Sequence, residues 1–164
     1  EEGFDLAIGG LPTSYPHVID IPLCPLPRAI VASPAYLERR GYPQRPRELA
    51  DHDCISFPAS GTRWAFDGPS GEVSVEIGSV FSATDSHVLR AAAIRGVGVT
   101  IVSEPLVRDA LKSGELVALL PEYRLPHLSL KVLVPENRRS SPTVDAVIKA
   151  LVAATQPVAP WDRV

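Results

Sequence analysis

The chain holds 164 residues with a formal net charge of −3, and it is 45% hydrophobic and 21% charged. That balance excludes a disordered polymer, and it excludes the strongly basic surface of a free-standing DNA-binding module. The length suits one domain or two small lobes.

In chain order, Phe4 to Ile8 reads as a short strand stopped by Gly9-Gly10. Ile19 to Cys24 alternates like a second strand, and Arg28 to Ala32 makes a third. Ser33 caps a predicted helix from Pro34 to Arg40, closed by Gly41 as the residue just past its end. Pro46 to Ala50 is a short helical turn and Cys54 to Phe57 a strand. Trp64 to Phe66 and Glu72 to Ile77 flank "DGPSG", which predicts a hairpin. A helix from Ser86 to Arg95 and a strand from Val97 to Val102 follow. Ser103 caps another predicted helix running to Lys112 and closed by Gly114. Leu116 to Leu120 and Leu128 to Val134 are strands. Ser141-Pro142 opens the last helix, whose Val144, Val147, Ile148, Leu151 and Val152 repeat at helical spacing and mark a buried face. Pro34, Pro105 and Pro142 each stand just after a serine, the pairing that starts helices. The alternation of strands and helices predicts an α/β fold with a parallel or mixed sheet.

Gly96-Val97-Gly98 is the first candidate for chemistry. A dinucleotide loop lies after a strand and before a helix, so that phosphate meets the helix N-terminus. Here the order is reversed. Gly96 is placed to end a helix with positive φ, and Gly98 to allow close helix–strand packing. Thr84-Asp85-Ser86 admits two readings: a plain helix cap, or hydroxyls and free backbone N–H groups that hold an anionic ligand. The charge of Asp85 would oppose an anion if it pointed inward.

His17, His52, His87 and His127 show no metal-ligand spacing. His52-Asp53-Cys54 would make a nucleophile cluster only if it were one extended strand, and no oxyanion element stands near it. Cys24 and Cys54 are few enough to be buried thiols, with a redox pair as the other reading. Arg39-Arg40, Arg45/Arg47 and Arg138-Arg139 are small solvated basic spots without interleaved aromatics. No apolar run is long enough to span a bilayer and no signal peptide opens the sequence, so the expected compartment is the cytoplasm.

The segments "FDLAIGG", "ASPAYLERRGYPQRPRELADHDCISF", "ATDSHVLRAAAIRGVGVTIVSEPLV", "SGELVALLPEY" and "VLVPENRRSSPTVDAVIKALV" stand in this order. Together they resemble the effector-binding half of LysR-type transcriptional regulators, from about Phe4 to Leu151. The resemblance implies a two-lobed α/β fold like type II periplasmic binding proteins, with a small effector held between lobes. On this basis residues 1–32 are part of lobe I, 33–129 are lobe II, and 130–164 carry the return crossover strand and the C-terminal helix of lobe I. The two crossing strands should lie near Arg28 to Ala32 and Leu130 to Val134. The family's positions for effector contacts match Gly9, Gly10 and Leu11 after the first strand, Thr84, Asp85 and Ser86 at a helix start, and Ser103 and Glu104 after the following strand. Gly9 stands where an arginine is commoner.

The family's winged helix-turn-helix and the first part of its lobe I have no counterpart in this sequence, so lobe I is expected to be truncated. The implied function is effector sensing and oligomerisation for a DNA-binding regulator, with a small, anionic organic effector and a homodimer or homotetramer as partners. DNA would be contacted only through the helix-turn-helix. No catalytic residue, metal, cofactor or membrane partner is implied. A solute-binding protein of a transporter on the same fold is the alternative.

Overall fold

The computed structural model describes residues 4–10 and 15–163, and the chain divides into two compact units, 1–26 with 127–164, and 27–126.

The first unit is built on a three-stranded antiparallel sheet, β1 (Ala7–Gly9), β10 (Leu128–Pro135) and β2 (Val18–Leu26), with β10 in the middle. The first strand starts later than Phe4 and runs through Gly9. Strand β2 carries Pro22 and Pro25, which lack the N–H that a central strand needs, and it lies at the sheet edge, where proline is tolerated. Helix α4 (Pro142–Thr155) buries Val144 and Ile148 against Leu23, Cys24, Val132 and Val134. The predicted stripe is narrower than expected. Leu151 and Val152 pack at its margin, and Val147 is 41% exposed.

The second unit holds a five-stranded sheet in the order β7, β4, β8, β3, β9. Its strands are β3 (Arg28–Ala32), β4 (Cys54–Ser56), β7 (Ser79–Ser82), β8 (Val99–Ser103) and β9 (Val117–Ala118). Strand β4 runs parallel to β7 and β8, and β3 runs antiparallel to β8 and β9. A separate hairpin, β5 (Arg63–Gly68) with β6 (Gly71–Glu76), turns at Pro69–Ser70 as "DGPSG" predicts. Strand alternation sends side chains to two cores. On one face Ile30, Cys54 and Val99 pack with Tyr36, Leu37, Leu49, Trp64 and Phe66. On the other, Val31, Ile55 and Val102 pack with Leu89, Ala93, Val107 and Ala110. Those last four lie on helices α2 (Ser86–Ile94) and α3 (Glu104–Ser113). Thr100 points into the second core and satisfies its hydroxyl by donating to the Ile55 carbonyl at 3.0 Å.

The ends of α1 and α2 follow the expected chemistry, whereas Ser141 stands at the start of α4 without a side-chain capping bond. Ser33 accepts from the Tyr36 N–H to cap α1 (Pro34–Arg40), and Gly41 closes it at φ 86°. Helix α2 ends in a Schellman motif: Gly96 N–H donates to Ala93 O at 3.0 Å and Val97 N–H to Ala92 O at 3.1 Å, with Gly96 at φ 75°. Gly98 serves close packing, but against backbone rather than a helix. A Cβ there would lie 2.1 Å from the Asp53 carbonyl oxygen. Strand β7 has no counterpart in the sequence reading. All four of its residues are exposed, so it has no alternating apolar pattern to reveal it.

Candidate functional site

The parallel run of β7, β4 and β8 brings their C-terminal ends to one edge of the sheet. Strand β3 begins at that edge, because Arg28 pairs with Ser103. Open α/β sheets place their ligands outside such an edge. Two helices start here. The chain leaves β7 at Ser82 and enters α2 through Ala83-Thr84-Asp85, with the Ala83 N–H donating to Ser56 O at 3.3 Å. It leaves β8 at Ser103 and enters α3 directly, with the Glu104 N–H donating to Pro27 O at 2.8 Å. Thr84, Asp85 and Ser86 thus share an edge with Ser103 and Glu104. The strands feeding them stand two positions apart, roughly 10 Å.

Asp85 is the N-cap of α2. Its Oδ1 accepts the His87 N–H at 2.7 Å, so the carboxylate is engaged with its own helix. Thr84 and Ser86 make no side-chain hydrogen bond among the described residues. Ser103 is the N-cap of α3 by position, but its side chain makes no capping bond, contrary to the serine-cap expectation. This edge therefore carries hydroxyls at Thr84, Ser86 and Ser103 that the fold does not use. Asp85→Ala removes the cap and should destabilise the domain by about 1 kcal/mol, measurable in urea melts.

The remaining predicted residues lie in the other unit. Gly9 ends β1, paired with Lys131, and Gly10 follows it. A Cβ on Gly10 would meet Leu26 Cδ2 at 2.6 Å, whereas one on Gly9 would make ordinary contact with Leu133. Leu11 lies outside the described residues.

The His52-Asp53-Cys54 cluster is structural. The strand begins only at Cys54, so His52 does not share its face. Burial and the Asp53 charge push the fully buried Cys54 thiol up to about 12, so it stays protonated at neutral pH and out of reach of substrate. The Tyr36 hydroxyl accepts the Asp53 N–H at 2.8 Å and lies 3.0 Å from His52 Nδ1. With its oxygen so engaged, that hydroxyl has its own proton to donate to a neutral imidazole. Burial and the Arg40 cation hold His52 below its ordinary pKa, which favours that neutral ring. Both cysteines are buried and free. Among the described residues no group of three His, Cys, Asp or Glu side chains could hold a metal ion, and no helix is long and apolar enough to cross a membrane.

The family profile described as the LysR substrate binding domain matches residues 1–156. The chain belongs to the LysR substrate-binding domain family. Members similar to it include the HTH-type transcriptional regulator YhjC of Escherichia coli K12, 33% identical over 156 residues, which cover 92% of this chain and 52% of that protein. The HTH-type transcriptional regulator CrgA of Neisseria meningitidis is 36% identical over 95 residues, covering 57% of this chain and 31% of that protein. The solved CrgA regulatory domain superposes with a TM-score of 0.74 at 26% identity, over 91% of this chain and 74% of that one. The regulatory domain of AphB from Vibrio vulnificus gives a TM-score of 0.73 at 21% identity over 92% and 75%, a likeness of fold alone. The fold is thus that of LysR regulatory domains, the two-lobed α/β architecture of periplasmic binding proteins. The family match and the regulators YhjC and CrgA weigh against the transport-protein alternative. The chain spans about half the length of YhjC.

One residue at the sheet edge carries no sequence signal. By sequence Arg28 only opens the third predicted strand. In the structure it stands opposite Ser103, with its guanidinium partly withdrawn from water.

Proposed function

We propose that this domain senses a small organic anion for a LysR-type transcriptional regulator, through Thr84, Ser86 and Ser103 at the shared sheet edge. The observation that carries the reading is the set of hydroxyls at Thr84, Ser86 and Ser103 that no cap or side-chain bond uses, gathered at the C-terminal edge of the parallel strands. The Asp85 carboxylate turns back onto the first turn of α2, so the ligand's charge is met by the hydroxyls around it and not by that helix end. Effector binding favours one state of a DNA-bound oligomer by differential affinity, so the domain performs no covalent chemistry. DNA contact belongs to a helix-turn-helix outside these residues, the working unit is a homodimer or homotetramer, and the compartment is the cytoplasm.

A thermal-shift screen of small carboxylates against the full chain tests this. A ligand at a hundred times its Kd stabilises the folded state by about 2.7 kcal/mol, which raises Tm by roughly 5–10 °C in a domain of this size. Thr84→Val keeps the shape and removes the hydroxyl, and should weaken the hit by about 1 kcal/mol, roughly fivefold. Equal affinity in calorimetry would remove Thr84 from the site.

A further inference from the structure

We propose that Arg28 is the cation that receives the effector's carboxylate, with Ser103 as its neighbouring hydroxyl; this rests on the anion-sensing reading above. Arg28 opens β3 and pairs with Ser103 on the antiparallel β8, so the two side chains rise from the same face of the sheet. Arg28 Nη2 donates to the Pro126 carbonyl at 2.8 Å, which uses one of the five N–H donors a guanidinium carries. Nε is shielded from solvent and has no acceptor. Burial lowers the pKa of the group, the direction expected of a cation taken out of water.

Several other cations of the chain are neutralised by carboxylates, while Arg90 shares with Arg28 a shielded Nε without an acceptor. Arg40 pairs with Asp53, Arg138 with Asp5, Lys131 with Asp20, and both Arg139 and Lys149 with Asp145. Among the described residues Arg28 pairs with no carboxylate, Glu104 beside Ser103 included. A partly desolvated charge without a counter-ion is costly, and a bound carboxylate offsets that cost through charge-assisted hydrogen bonds to a planar fork. The Ser103 hydroxyl, free of capping, supplies a second donor.

The test is a titration of the full chain with sodium acetate, at ionic strength held constant with chloride, followed by the Arg28 Nε–H signal and the backbone amides in 15N-edited spectra. The Arg28 signal is expected to move saturably with acetate. Arg28→Lys, which keeps the charge and loses the fork, should weaken acetate at least tenfold, and Ser103→Ala a few-fold. A signal that does not move, or that moves without saturating as it does in chloride, overturns the proposal. So does unchanged acetate affinity in Arg28→Gln. The wild-type titration stands by itself should that variant fold poorly. Saturation at Arg28 with the Ser86 and His87 amides unmoved keeps the Arg28 site and removes the Thr84 reading. Saturation at those amides alone does the reverse.

Discussion

Gly98→Ala is expected to destabilise the second unit by at least about 3 kcal/mol, the upper end of overpacking effects, and to lower Tm by roughly 6–12 °C. The added methyl would lie 2.1 Å from the Asp53 carbonyl oxygen and 2.8 Å from its carbon. Neither is the far end of a flexible side chain. The same backbone is held in place from the next residue, where the Val99 N–H donates to Asp53 O at 2.9 Å. Relief would therefore separate the start of β8 from the segment entering β4, at the centre of the five-stranded sheet. Gly78→Ala is the control, because a Cβ there meets nothing within 4 Å. It should change stability by less than about 1 kcal/mol. Urea melts of both variants decide the matter. Equal midpoints would show that the Asp53 contact is not the constraint on Gly98.

Leu89→Ala should cost about 2–5 kcal/mol, the range for a buried leucine that leaves a cavity. Leu89 is 1% exposed and sits in the core formed with Val31, Ile55, Ala93, Val102 and Val107. It is the first fully buried residue of α2, and it holds down the turn that begins at Asp85. Its loss should therefore act twice, lowering stability and loosening the Thr84–Ser86 edge, so that a carboxylate hit loses affinity as well. Val88→Ala provides the comparison, since Val88 is 43% exposed and lies outside that core. Calorimetric unfolding and ligand titration on the pair separate the two effects. A stability loss without any loss of affinity would mean that the site does not depend on how α2 is seated.

Elements with a local chemical signature were legible from the sequence. The Ser33 cap with Pro34, the Gly41 and Gly114 helix ends, and the Gly96 Schellman motif depend on residues adjacent in the chain, and the structure shows each of them. Elements defined by distant partners were less so. Strand β7 exists because it pairs with β4, and its exposed residues give no pattern of their own. Strand β9 is shorter than Leu116 to Leu120, since only Val117 and Ala118 pair with β3. The contact of Gly98 with Asp53 joins residues far apart in sequence, so spacing alone suggested a helix as its neighbour. In the site, the residue types at Thr84-Asp85-Ser86 announced a helix start but not which way Asp85 would turn. The geometry answers that: it turns to its own backbone. Arg28 stayed hidden because an arginine at the head of a strand is ordinary, and only the fold shows that it has no carboxylate beside it.

The sheet edge at Thr84–Ser86 and Ser103–Glu104 is the proposed place of effector binding. The most direct measurement is a 15N-edited titration of the full chain with the strongest carboxylate from the thermal-shift screen. Saturable shifts gathered on the amides of Thr84 to His87 and of Ser103 and Glu104 are predicted. Saturable binding that leaves those amides unmoved, or a screen in which no carboxylate saturates, would contradict the account.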